Sequence, residues 1–291
     1  MSALPLILYI LQNRDILQSR RITEIKMNID VKSKKLFLLD MDGTLYLDNE
    51  LFPDTIRFLS AIRKNGGNYL FLTNNSSKGV DAYITKMHNM GIHTKKEDFV
   101  TSVDATIEYL LHYHPKQLCY VLGTQSFYNQ LQNAGIEVTN HLDNNIEVLV
   151  MGFDTELTFK KLEHASILLK RDIAYIATNP DWVCPTAYGY VPDCGSVAQM
   201  LKNATGKWPL FIGKPETSMI DLAMKQMGVP CKDTVLIGDR VYTDIAAGNN
   251  AKIDTILVLS GEGTIKETEE KGIFPTAILE HIGIVADMLE Q

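Results

Sequence analysis

Membrane-length apolar runs, paired cysteines and basic clusters are all missing from this chain, and each absence removes a class of function. The N-terminal stretch "LPLILYIL", Leu4 to Leu11, is far shorter than the roughly 20 apolar residues of a membrane span. No basic segment precedes it and no small-residue cleavage site follows, so it does not read as a signal peptide. Residues 1–26 are expected to be an extension outside the fold, with Met27 an alternative start. Cys119, Cys184, Cys194 and Cys231 form no CxxC pair and no metal-ligand spacing, which argues against a zinc site or a disulfide framework and for the reduced thiols of a cytoplasmic protein. The 35 acidic residues outnumber the 28 basic ones, for a formal charge of -7. With no dense Lys/Arg patch, the chain has no electrostatic footprint for nucleic acid or an anionic membrane, and small-molecule chemistry is expected.

What the chain does have is apolar residues, 45% of 291, enough for a substantial core. Short branched-apolar runs ending in polar or Gly residues alternate with stretches of helical period. That alternation predicts an α/β protein, a parallel sheet covered by helices on both faces. Strands are expected at 36–39, 69–72, 99–101, 119–122, 148–151, 173–177, 210–212, 235–237 and 255–259, and helices at 54–64, 80–90, 103–113, 159–169 and 218–227. The strands before residue 115 and after 209 end in polar clusters, whereas the segment between carries its own β and α alternation. The expected organisation is therefore a discontinuous core, 27–115 plus 209–291, interrupted by an inserted α/β domain, 116–208, with crossings near "HYHPKQ" and "TGKWP".

Ligands of parallel sheets gather at the carboxyl ends of the strands. Four clusters are expected there: Asp40 and Asp42 in "DMDGT", Thr73, Asn74 and Asn75 in "TNNS", Lys214 after "LFIG", and Asp239 and Asp244 in "GDRVYTD". Taken singly, each is an ordinary turn, cap or surface residue. An EF-hand is excluded, because the sixth position of a loop that begins at Asp40 is Leu45 where that loop requires Gly. Taken together they have a chemistry. Two acids one residue apart repel unless a divalent cation or a shared proton relieves them, and hard oxygen ligands with room for water suit magnesium. Lys214 adds positive charge, and Thr73, Asn74 and Asn75 add hydroxyl, amide and backbone donors at the start of the next helix, a set able to hold a phosphoryl group.

These four motifs, in this order, resemble those of the haloacid dehalogenase superfamily of aspartate-nucleophile phosphatases over residues 34–260. The inserted segment, with "VMGFDTELTFKKL", "ATNPD" and "PDCGS", is similar to the type IIA cap of the NagD-like branch, which includes nitrophenyl, sugar, phosphoglycolate and pyridoxal phosphate phosphatases. The resemblance implies a Rossmann-like core with a C2-type cap. It implies Asp40 as nucleophile forming an aspartyl-phosphate and Asp42 as acid and base. It further implies Mg2+ held by the Asp40 side chain, the Asp42 backbone carbonyl and Asp239, with Asp244 orienting ligands or acting through water, and Lys214 bridging nucleophile and phosphate. Asn179, Asp181, Trp182 and Cys184 are the cap residues expected to set specificity, and Trp182, Tyr188 and Tyr190 are candidates for stacking on substrate or for cap packing. Cys184 stands before Pro185 where pyridoxal phosphate phosphatases carry His, which argues against vitamin B6 phosphates. The expected substrate is a small phosphorylated metabolite, a sugar phosphate or similar, and a homodimer through the cap fits the family. The alternatives are a phosphomutase using the same phosphoenzyme and a non-catalytic metabolite-binding regulator.

Overall fold

The fold is built outward from β1 (Leu36–Leu39), every residue of which is buried. Phe37 and Leu39 enter the apolar layer on one face of the sheet and Leu36 and Leu38 the layer on the other, the period-two division a strand imposes. Such a run is stable as a strand only where both faces are covered, and each of its side chains contributes on the order of 1.5–3 kcal/mol by burial.

The computed structural model describes residues 29–186 and 188–291; the extension expected over residues 1–26, and Met27, lie outside the described residues. After β1 come a hairpin of β2 (Tyr46–Leu47) and β3 (Glu50–Leu51), α1 (Thr55–Lys64), β4 (Asn68–Thr73), α2 (Val80–Asn89), β5 (Phe99–Thr101) and α3 (Ser102–Tyr113). The middle of the chain forms β6 (Leu118–Leu122), α4 (Gln125–Asn133), β7 (Val138–Thr139), β8 (Ile146–Met151), α5 (Phe159–Leu168) and β9 (Ala174–Ala177), then a second hairpin of β10 (Val183–Thr186) and β11 (Gly189–Pro192), α6 (Cys194–Thr205) and β12 (Leu210–Phe211). The last part holds α7 (Ser218–Met227), β13 (Thr234–Gly238), a π-helical turn Val241–Ile245, α8 (Ala246–Asn250), β14 (Asp254–Val258), α9 (Ile265–Lys271), β15 (Ala277–Leu279) and α10 (Ile282–Glu290).

Local chemistry sets several of these ends. Thr101 and Asp104 bond reciprocally as a capping box at the start of α3. Asp193 caps α6, and Gly206, with φ 74°, ends it.

One six-stranded sheet has the order β15-β14-β13-β1-β4-β5 and a second, five-stranded, has the order β12-β9-β8-β6-β7. Every pairing in both is parallel. In the first sheet the chain runs outward from β1 through β4 to β5 on one side and from β13 to β15 on the other. The carboxyl end of β1 therefore opens at the point where strand order reverses, which is where open α/β sheets bind ligands. The apolar layer holding Leu36 and Leu38 continues into Cys119, Val121, Val148 and Val150 of the second sheet, so the sheets share one core layer.

Two expectations change. Leu210–Phe211 pairs with β9 rather than with the first sheet, and Ile212 and Gly213 continue that ladder to Ala177 and Thr178. The chain thus crosses back after Phe211, later than residue 208, and Lys214 arrives from the second sheet. The helix after "TNNS" begins at Val80, so Thr73, Asn74 and Asn75 lie at a strand end and in a loop instead of at a helix N-terminus.

Candidate active site

Asp40 leaves β1 with its backbone N–H bonded to the Ile237 carbonyl of β13, which fixes the carboxylate at the reversal point. The chain then turns tightly over the end of β13. Gly43 has φ +83°, and a Cβ there would overlap the Asp239 carboxylate; the close approach and the left-handed backbone together require glycine.

Asp40, Asp239 and Asp244 can each bring one carboxylate oxygen within 4.8 Å of the others. Lys214 Nζ lies 2.6 Å from Asp40 Oδ1 and 2.6 Å from Asp244 Oδ1. Burial and the Asp244 carboxylate raise the Asp40 carboxyl well above the usual range, against the pull of Lys214, and burial with Asp244 pushes Asp239 up to about 7. Although burial opposes it, the carboxylates of Asp244 and Asp40 hold the Lys214 ammonium above its ordinary value. Three carboxylates against one contacting ammonium leave an excess of negative charge.

Asp239 Oδ2 accepts from the Glu262 N–H at 2.8 Å, but its buried Oδ1 has no hydrogen-bond partner among the described residues. An orphaned carboxylate oxygen beside Asp40 fits a hard divalent cation. Asp244 is different: its oxygens already serve Lys214 and the Arg240 N–H, which suits a residue that orients its neighbours.

The "TNNS" loop divides by parity. Thr73 Oγ1 accepts from the Asn75 N–H and its hydroxyl bonds the Tyr83 side chain, while Asn75 Oδ1 accepts from the N–H and hydroxyl of Ser77, which leaves the Asn75 Nδ2 without a described acceptor at the cavity wall. Asn74 and Ser76 serve the second sheet. Asn74 donates to Asp181 Oδ2 and the Lys214 carbonyl and accepts from the Lys214 N–H; Ser76 meets Thr178 and accepts from the Phe153 N–H. Asn74 borders the cavity, but its amide is fully occupied, contrary to the expectation of a phosphate-holding side chain.

These groups surround a cavity of 840 Å³, a size suited to a small ligand. Asp40, Asp42, Thr73 and Asn75 line it after strands of the first sheet, Lys214 and Asp181 after strands of the second, and Cys184 and Asp193 from the β10–β11 hairpin and the start of α6. Asp42 is held by the Tyr46 hydroxyl at 3.3 Å and by Lys86 Nζ at 3.4 Å, and that ammonium also lies 3.9 Å over the Tyr46 ring.

The cap-side candidates separate. Cys184 lines the cavity. Asp181 borders it with its oxygens engaged by Asn74, Asn179 and Arg240. Asn179 is fully buried and ties Asp181 to Asp193. Trp182 does not line the cavity and is 47% exposed, as are, more strongly, Tyr188 and Tyr190; none of the three stacks over the site. Among the wall residues not anticipated are Arg240, Asp193, Lys86 and Tyr83. Arg240 and Asp193 sit inside "GDRVYTD" and "PDCGS", where their neighbours drew attention, whereas nothing local marks Lys86 or Tyr83.

Comparison with known proteins gives the family and the fold. A haloacid dehalogenase-like hydrolase model matches residues 37–137 and a second HAD-hydrolase-like model matches 211–284. The acid sugar phosphatase of Staphylococcus epidermidis is 31% identical over 261 residues, covering 90% of this chain and 100% of that one. The crystal structure of a 4-nitrophenylphosphatase from Thermotoga maritima superposes with a TM-score of 0.83 at 37% identity, over 88% of this chain and 98% of the other. A glycerol phosphate phosphatase from Mycobacterium tuberculosis, solved in complex with magnesium, shares the fold with a TM-score of 0.82 at 24% identity, over 90% of this chain and 78% of the other.

Proposed function

The chain belongs to the haloacid dehalogenase-like hydrolases, in the NagD-like and nitrophenyl phosphatase branch, and is a phosphoric monoester hydrolase; from that premise we propose that it hydrolyses a small phosphorylated metabolite, a sugar or polyol phosphate, through a phosphoenzyme on Asp40. The observation that carries the reading is the buried triad of carboxylates around one lysine at the base of the cavity. Asp40 attacks phosphorus, the bond to the alcohol oxygen breaks, and Asp42 gives that oxygen its proton. Water then attacks the aspartyl-phosphate while Asp42 takes a proton back, releasing inorganic phosphate and restoring both carboxyls. Lys214, the Thr73 hydroxyl and the Asn75 amide hold the phosphoryl oxygens as charge shifts among them.

Asp40 and Asp239, with the Asp42 backbone carbonyl, would hold a divalent cation, which in this reading is magnesium and supplies charge neutralisation at the phosphoryl group. The orphaned Asp239 oxygen supports that assignment. So does the shared fold with the glycerol phosphate phosphatase seen with magnesium, though that protein has also been solved with calcium. In the same reading, a cap of about residues 116–211 covers a core of 27–115 and the remainder, excludes water from the first step, and pairs two copies into a homodimer, which sedimentation would reveal. No described helix is long and apolar enough to cross a membrane.

The test is phosphate release from a panel of sugar, polyol and aryl phosphates, with magnesium or with chelator, by the parent and by Asp40→Asn. Expected are magnesium-dependent turnover by the parent and its near-complete loss in the variant; undiminished turnover in Asp40→Asn would sink the mechanism.

A further inference from the structure

The phosphate end of the cavity explains how a phosphoryl group is held; the opposite wall has to recognise whatever alcohol the phosphate is attached to. Asp42 protonates the leaving oxygen, so the alcohol portion extends past Asp42 toward the second sheet. Tyr83 and Cys184 mark that compartment. Asp42, Tyr83, Cys184 and Asp193 all line the cavity, and burial, with the carboxylates of Asp42 and Asp193 adding to it, raises both Tyr83 and Cys184.

Asp193 is built into this wall. It is 5% exposed yet lines the cavity. Its Oδ1 accepts from the Cys194 N–H as the cap of α6 and from Asn179 Nδ2 at 3.2 Å, while no described residue bonds its Oδ2. The start of α6 is pressed against the 179–181 loop, since Gly195 N–H bonds the Asp181 carbonyl at 2.8 Å and a Cβ on Gly195 would overlap the Pro180 carbonyl oxygen. The carboxyl is therefore held rigidly with one oxygen free.

The charges around it are already matched. Lys214 is paired with Asp40 and Asp244, Lys86 with Asp42, and Arg240 with Asp181 and Glu262. Lys78, on the rim, is exposed, as is the rim acid Asp48. A substrate entering the compartment thus meets, on a buried residue, a carboxyl oxygen that no described donor bonds.

Resting on the phosphatase reading, we infer that Asp193 is a specificity-determining residue: its Oδ2 takes a hydrogen bond from a hydroxyl or ammonium group of the leaving alcohol, and it rejects leaving groups that carry a carboxylate or a second phosphate. A site built to bond a donor discriminates strongly against a partner that leaves the buried acceptor unpaired or repels it.

The test compares kcat/KM for glycerol phosphate, 4-nitrophenyl phosphate and a phosphorylated hydroxy acid in the parent, Asp193→Asn and Asp193→Ser; both substitutions retain an N-cap acceptor for α6. The expected result is a preference of glycerol phosphate over the hydroxy-acid phosphate that falls about ten-fold or more in both variants, carried largely by KM. If all three substrates decline together, or the preference stays within about two-fold, the residue is only structural and the inference fails. A parent that hydrolyses nitrophenyl phosphate but no polyol phosphate overturns the inference and spares the phosphatase reading; a parent that hydrolyses no ester overturns both. Should Asp193→Asn not fold, Asp193→Ser decides.

Discussion

Replacing Lys214 by Met tests the electrostatics of the site more directly than removing the nucleophile. The ammonium is 2% exposed and bonds Asp40 and Asp244, each at 2.6 Å. Methionine fills much the same volume, so the loss is of charge rather than packing. Two neighbouring carboxylates are then left without their cation, and breaking a buried pair from one side costs about 3–5 kcal/mol. At about 2–4 °C per kcal/mol for a chain of this size, the melting temperature should drop by roughly 6–20 °C. The drop should also depend on pH. Asp40 is already raised well above the usual carboxylate range and Asp239 sits at about 7. Because these folded-state values exceed the unfolded ones, the carboxyls favour folding when protonated and that contribution is lost as pH rises toward 7. The deficit of Lys214→Met should therefore be large at pH 8 and smaller at pH 5.5. Thermal melts of parent and variant in chelator at the two pH values measure it. A variant that melts within about 2 °C of the parent at pH 8, or whose deficit grows on acidification, would refute the charge accounting. Turnover in magnesium should fall about 10²–10³-fold, as when an oxyanion-stabilising donor is lost.

Asp42→Asn should lower kcat for alkyl phosphates by about 10²–10⁴-fold and less for nitrophenyl phosphate, whose leaving group needs no proton; equal losses on both substrates count against the acid role. Asp193→Asn should stabilise the protein at pH 8, because burial and the nearby Asp181 push the Asp193 carboxyl up to about 7 and keeping it ionised costs up to roughly 4 kcal/mol at ~1.4 kcal/mol per pH unit. The gain should shrink as pH falls toward 4, and urea titrations at pH 8 and 5 measure it. Gly195→Ala should cost at least about 1–3 kcal/mol from overpacking against Pro180, read by the same titration; a neutral effect would mean that the start of α6 is not fixed against the loop.

Five of the six strands of the first sheet were legible because they carry apolar runs ended by polar clusters, the pattern of a parallel strand covered on both faces; β15, three residues long, was not anticipated. Phe99–Thr101 and Ser218–Met227 fall where periodicity sets them. The hairpins were not legible. β10 and β11 have no fully buried residue, so they show no hydrophobic alternation, and β2 and β3 are two residues each. Leu210–Phe211 was read correctly as a strand and assigned to the wrong sheet. Two residues carry no partner information, and the pairing with β9 follows from where α6 delivers the chain.

The site shows a finer limit. Asp40, Asp42, Lys214 and Asp239 could be named because their chemistry is incompatible with a bland role when they share one sheet edge. "TNNS" offered four polar residues in a row, and composition alone cannot say which face the cavity. In a strand end continuing into a loop, neighbours point to opposite sides, so alternate residues take separate tasks: Thr73 and Asn75 line the cavity, while Asn74 and Ser76 bind the backbone and side chains that carry Asp181, Lys214 and Phe153. The consequence is mechanical. The segment proposed to hold the phosphoryl group is also the segment bonded to the second sheet, and Asn74 joins Asp181 directly, with Asp181 in turn joined to Arg240 beside Asp239. A displacement of the 179–181 loop therefore reaches both the Lys214 backbone and the Asp239 turn through short chains of hydrogen bonds, which is a physical route by which the Asp181–Asp193 wall can act on the Asp40 wall.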